Sequence, residues 1–279
     1  MLALGEISVG ALSFVAIAAF CAGFVDAIAG GGGLIQLPAL LIGLPQSQTV
    51  QVLGTNKLAS IFGTTGAAIL YRRKTATDLT FTLSMALPAF VGSMCGALLA
   101  SHLPTHALRP LIFFLLIAVG IYTWNRPTLG HVESLKHSVK RQRLIAIVAG
   151  AGIGFYDGIF GPGTGSFLML VLVAALGFAF LNASAIAKVV NVSTNAGAIV
   201  IFGLHGVILW KLGLILGIAN IAGGLLGAKV AIRGGSVLVR QVFFACNSPS
   251  HLQSRCRYNS TLVIAIVNMS NQSYDYRHN

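Results

Sequence analysis

Acidic side chains are almost missing from this sequence: six Asp and Glu stand against 18 Lys and Arg in 279 residues. Charged residues reach only 9%, where a soluble domain carries about 25%, so a soluble globular fold is excluded. Cysteine is nearly as scarce, with Cys21 and Cys95 in apolar segments and Cys246 and Cys256 towards the carboxyl end. No CxxC or His/Cys spacing occurs, which removes a redox pair and a metal centre. Neither glycine run continues into Gly-Lys-Ser/Thr, so there is no phosphate-binding loop. No nucleophile–base constellation suggests an enzyme, and nothing calls for a cofactor. The amino terminus lacks a basic region, and its first apolar run reads as a retained span rather than a cleaved signal.

What the chain has instead is apolar length. Hydrophobic residues make up 56%, and many segments exceed the length of a buried core helix. The fold class is therefore all-α, a polytopic helical protein of the lipid bilayer. The net charge of +12 could suggest nucleic acid, but no stacking aromatics or recognition module accompany it. The basic residues cluster in short loops: Arg72-Arg73-Lys74, Arg126 to Arg143, and Lys229 to Arg240. That is how membrane proteins mark their cytoplasmic side.

The first apolar stretch runs from Ile7 to Ala29. A shorter one, Leu34 to Leu44, is closed by Gly43-Leu44-Pro45 and is too short to cross, so it predicts a half-helix. Val50 to Tyr71, Leu79 to Ser101 and Leu108 to Trp124 follow. Residues 1–124 form a first membrane repeat, 125–143 a basic cytoplasmic linker, 144–244 a second repeat and 245–279 an atypical polar tail.

The duplication is explicit. Adding 131 to a position takes Gly23 to Gly154, Phe24 to Phe155, Asp26 to Asp157, Gly30 to Gly161 and Lys57 to Lys188. The register continues ungapped through Gly92 and Gly223, Gly96 and Gly227, and Arg109 and Arg240. Arg72-Arg73-Lys74 corresponds to Gly203-Leu204-His205, while the stretch around Leu98 to Leu103 lacks the Lys229 and Arg233 of its counterpart. If basic loops lie inside, the repeats are inverted in the membrane and the amino terminus lies outside, with Arg109 a minor exception. After Arg240 the expected last helix breaks off within one or two turns. Either a soluble tail follows, or a change of reading frame near residue 245 has replaced the helix; the abruptness favours the second.

Within the spans stand four ionisable residues, Asp26, Lys57, Asp157 and Lys188, one acid and one base per half. Each costs about 2.5–3.5 kcal/mol near a helix centre before it finds a partner. They can pair to orient the helices, or the lysines can attract an anion while an aspartate binds and releases a proton; the two readings overlap. The glycine runs support the anion. A helix broken at Gly31, Gly32 and Gly33, and another at Gly163, Thr164 and Gly165, would turn N-terminal N–H groups into the membrane interior. Close helix packing on small residues is the blander alternative. Asn191 and Asn195 share a helix face with Lys188, and Asn56 precedes Lys57. Several neighbouring hydroxyls serve only their own helix carbonyls on this reading.

These residues carry a resemblance. Gly-Phe-x-Asp-x-x-x-Gly-Gly-Gly-Gly-x-x-x-x-Pro at Gly23 to Pro38, Thr55-Asn56-Lys57, Gly-Phe-x-Asp-Gly-x-x-Gly-Pro-Gly-Thr-Gly at Gly154 to Gly165, and Lys188-x-x-Asn191-x-x-x-Asn195 resemble the TauE/SafE (TSUP) family. The resemblance covers about residues 7 to 244. It implies a bacterial inner-membrane permease for sulfur-containing anions such as sulfite or sulfonates, driven by ion gradients and not ATP. Such proteins usually end in another membrane helix, which this tail lacks.

The expectation is therefore a secondary transporter that binds a small anion between the halves through Lys57, Lys188, Asn56, Asn191, Asn195 and the glycine breaks. Asp26 and Asp157 would handle a coupling proton or other ion. A passive anion channel or a carboxylate permease of the same fold is the alternative. A homo-oligomer is compatible with either.

Overall fold

The computed structural model describes residues 8–75, 77–103 and 138–245, with side chains up to Gly235. The expected span Leu108 to Trp124, Arg109, His106 and the tail beyond 245 lie outside these residues. Among the described residues the secondary structure is helical, without a strand. Helix α1 (Val9–Ala29) is capped by Ser8, whose hydroxyl accepts from the Ala11 N–H at 3.2 Å, and ends where Gly30 turns left-handed at φ 77. The half-helix α2 (Gly33–Gly43) follows. A Gln48/Gln51 capping box opens α3 (Thr49–Arg72). Asp78 opens α4 (Leu79–His102) by accepting from the Thr80 N–H at 2.8 Å.

The second half repeats the plan. It comprises α5 (Val139–Ile159), α6 (Thr164–Leu170) widening into a π turn at Val171–Ala175, α7 (Phe180–Leu204) and α8 (Trp210–Ala245), broken at Gly235. Each first-half helix begins 131 positions before its counterpart, to within one residue. The first turns of α5 carry Lys140, Arg141 and Arg143, which the sequence reading placed in the linker.

Among the described residues four helices are long and apolar enough to cross a membrane: Val9–Ala29, Leu79–His102, Phe180–Leu204 and Trp210–Gly235. Their outer faces expose large apolar side chains such as Ile17, Leu87, Val200 and Ile218. Outward Leu and Ile with small residues inside is the pattern that lipid contact favours.

Neighbouring residues fix the helix directions. Ala89 lies against Gly154 and Ser93 against Gly158, so α4 and α5 run the same way. Phe20 meets Gly223 and Phe24 meets Gly227, aligning α1 with α8. Leu58 meets Gly213 and Phe62 meets Gly217, aligning α3 with α8. Ser93 donates to the Thr194 carbonyl at 2.6 Å, and the His102 and His205 rings pack edge-on at 6.0 Å, bringing the carboxyl ends of α4 and α7 together. By contrast α3 and α7 run antiparallel. Gly54 touches Phe202 at one end, and at the other Tyr71 and Lys188 both reach the Asp26–Ala27 turn of α1. Thus α1, α3 and α8 point one way, and α4, α5 and α7 the other.

One consequence is a sorting of charge. Arg72, Arg73, Lys74, Lys140, Arg141, Arg143, Lys229 and Arg233 all fall at one end of the bundle and are exposed. The opposite end has Lys211 as its lysine or arginine among the described residues.

The parallel seams depend on glycine. A Cβ added at Gly154 would fall on the Ala89 backbone, whereas one at Gly152 would meet nothing within 4 Å. Gly154→Ala should therefore cost about 1–3 kcal/mol through overpacking and lower the melting temperature in detergent. Gly152→Ala, two residues away on the same helix, should leave it unchanged or raise it, since Ala is the better helix former.

Candidate functional site

Both helix breaks rest on glycine conformations. Gly30 (φ 77), Gly161 (φ 87) and Gly163 (φ 77) occupy the left-handed region, which other residues enter only with strain. The two breaks meet inside the bundle. Gly30 packs on Gly165, and Gly33 on Gly161 and Pro162. The Ser166 N–H donates to the Gly30 carbonyl at 3.2 Å, and the Ser166 hydroxyl to the Ala29 carbonyl at 3.1 Å. Chain released by one break is thus hydrogen-bonded by the other, as buried irregular backbone requires.

The four ionisable residues form two ion pairs, and both cross between the halves. Lys57 Nζ lies 2.7 Å from Asp157 Oδ1, and Lys188 Nζ lies 2.8 Å from Asp26 Oδ2. Thr164 Oγ1 also donates to Asp157 Oδ1 at 2.6 Å, and the Gly32 N–H approaches Asp26 Oδ1 at 3.4 Å. Lys57 and Lys188 are 2% and 0% exposed. Withdrawing such ions from water costs several kcal/mol apiece, which mutual attraction and extra hydrogen bonds must offset.

Beside these pairs lies a small cavity of ≈ 30 Å³. Of the residues expected at a site, Asp26, Gly32, Gly33, Asn56, Lys57, Asp157, Thr164, Gly165, Asn191 and Asn195 line it. Lys188 does not; it is fully buried against Asp26. Gly31 and Gly163 are also outside the wall, the latter serving as N-cap of α6. Thr64 lines the wall, but its hydroxyl bonds the carbonyls of Ser60 and Ile61; that of Thr194 bonds the Asn191 carbonyl. Those hydroxyls serve their own helices.

Two further wall residues, Gln36 and Asn220, had escaped the sequence reading. The signal was available: each is a lone amide in an apolar helix, and each is buried, at 1% and 3% exposure. Asn220 Nδ2 donates to Gln36 Oε1 at 2.7 Å and to the Ala19 carbonyl at 3.0 Å. Gln36 Nε2, Asn56 Oδ1, Asn191 Oδ1 and Asp157 Oδ2 are buried without a partner among the described residues, and all belong to cavity-lining side chains. Buried polar atoms are nearly always satisfied, so such a concentration marks a place built for a polar occupant.

The ion pairs make a stability prediction. Asp157→Ala strands the Lys57 ammonium and should cost about 3–5 kcal/mol, while replacing both partners by Lys57→Met and Asp157→Leu should recover most of that loss. Thermal denaturation in detergent reads the difference. Equal losses in the single and double variants would show that the pair is not coupled.

A family model described as sulfite exporter TauE/SafE matches residues 15–246. The probable membrane transporter protein ORF9 of Sinorhizobium sp is 43% identical, over 82% of this chain and 86% of its own length. A probable membrane transporter protein of Haemophilus influenzae is 38% identical, over 84% of this chain and 91% of its own. The Escherichia coli K12 probable membrane transporter protein YfcA is 36% identical, over 83% of each. No solved structure gives a significant match. With the family match spanning both broken-helix motifs and both lysines, this chain belongs to the TauE/SafE sulfite exporter family of membrane transporters.

Proposed function

We propose that the protein is a secondary transporter moving a small sulfur-containing anion, sulfite or a sulfonate, across the bacterial inner membrane. The observation that carries this reading is the cavity wall, where Lys57, Asp26 and Asp157 meet the two helix breaks and the unpartnered Gln36 Nε2 donor. An arriving oxyanion competes with Asp157 for the Lys57 ammonium. Once displaced, the carboxylate has lost its countercharge in an apolar bundle, where a bare charge is costly. Taking up a proton relieves that cost and couples anion movement to a proton gradient. Lys188, behind Asp26 and outside the wall, can meet the anion only after Asp26 has been displaced.

The gathered basic residues support a cytoplasmic position for that end of the bundle. On this reading the amino terminus of α1 lies outside, and the antiparallel α3 and α7 support the halves being inverted repeats across the bilayer. A site framed by broken helices between inverted repeats suits alternating access.

The test is flux in proteoliposomes. Wild-type protein should show saturable sulfite or sulfonate counterflow that responds to a pH gradient, a response that a passive channel lacks. Lys57→Ala and Lys188→Ala should each lower the flux at least about tenfold, a loss of about 1.4 kcal/mol or more. Full flux in both variants removes the lysines from anion binding.

A further inference from the structure

The cavity contains a polar device that the two halves do not share. Positions 131 away from Gln36 and Asn220 hold Phe167 and Ala89. Phe167 packs edge-on against Tyr156, with ring centroids 5.4 Å apart. The amide pair therefore belongs to one side of the site alone.

Its orientation follows from forced choices. The Ala19 carbonyl can only accept, so Asn220 must turn its NH2 group towards it, at 3.0 Å. The same NH2 donates its second hydrogen to Gln36, at 2.7 Å, and so fixes which end of the Gln36 amide is oxygen. Gln36 Nε2 is left facing away from Asn220, buried and without an acceptor among the described residues, on a side chain of the cavity wall. A free glutamine can offer a donor or an acceptor to whatever approaches. This one, held by Asn220, can offer only a donor.

We infer that Gln36 Nε2 is a specificity-determining donor to an oxygen of the transported oxyanion, and that Asn220 is the positioning residue that keeps it donating. The inference rests on the anion reading of the cavity and adds the atom that meets the substrate and the half it comes from. A fixed donor favours solutes rich in lone pairs, such as sulfite and sulfonates, over amines and metal cations.

Uptake of radiolabelled sulfite and sulfoacetate into proteoliposomes tests this, with melting temperature measured alongside. Gln36→Glu keeps the shape and the acceptor for Asn220 but replaces the donor by oxygen. Gln36→Met removes the amide without adding charge. Both should raise KM at least about tenfold, the worth of one hydrogen bond to a charged group; Gln36→Met, which strands the Asn220 NH2, should also lower the melting temperature. Asn220→Asp reverses the relay: its carboxylate draws the Gln36 NH2 to itself and turns Oε1 towards the cavity. It should raise KM similarly although Gln36 is still present. A merely structural role would instead lower stability and maximal rate at constant KM. Unchanged KM in whichever Gln36 variants fold overturns the donor assignment, and unchanged KM in Asn220→Asp overturns the relay. Failure of the wild type to take up either anion defeats the underlying reading, and this inference with it.

Discussion

An ammonium can remain inside an apolar bundle only if a negative group meets it at hydrogen-bond distance, and here that requirement is imposed twice. Lys57 finds Asp157 and Lys188 finds Asp26. Because each pair joins one half to the other, neither half can satisfy its own lysine as folded. The glycine breaks belong to the same constraint. They end α1 and α5 just past the aspartates and let Thr164 and Gly32 approach the carboxylates. A pair held in this way is costly to break from one side, since removing either partner strands a buried charge.

The seams around the pairs are built from the opposite material. Gly92, Gly96, Gly154 and Gly158 bring α4 and α5 into backbone contact, and Gly23, Gly223 and Gly227 do the same for α1 and α8. In lipid the hydrophobic effect gives little reason for helices to associate, so close approach and dispersion must hold them. The structure thus separates two duties: apolar seams set the helix positions, and a polar centre is left with unspent hydrogen-bonding capacity.

Much of this was legible in the residues. The offset from Asp26 to Asp157 and from Lys57 to Lys188 gave the duplication, and the half-length run after Gly33 gave the broken helix. Which acid meets which base was not legible. The same spacing separates Asp26 from Lys57 and Asp157 from Lys188, so pairing within a half fits the sequence as well as pairing across. Only three-dimensional packing decides it. Lys188 looked equivalent to Lys57, yet it lies behind Asp26, outside the cavity wall. Gln36 and Asn220 were hidden for another reason: neither is repeated, and their counterparts are the apolar Phe167 and Ala89.

The antiparallel meeting of α3 and α7 has a further consequence. Sorted by direction, the long helices form two trios, α1 with α3 and α8, and α5 with α7 and α4, so each half lends its fourth helix to the other. The pieces that can shift as rigid bodies are accordingly these exchanged trios and not the first and second halves of the chain. Each keeps its parallel glycine seams inside itself, while the Gly54–Phe202 contact, the meeting of the two breaks and both lysine–aspartate bridges span the gap between them. Sliding one trio past the other would strain those bridges and the Ser166 hydrogen bonds to Ala29 and Gly30, and leave the parallel glycine seams undisturbed.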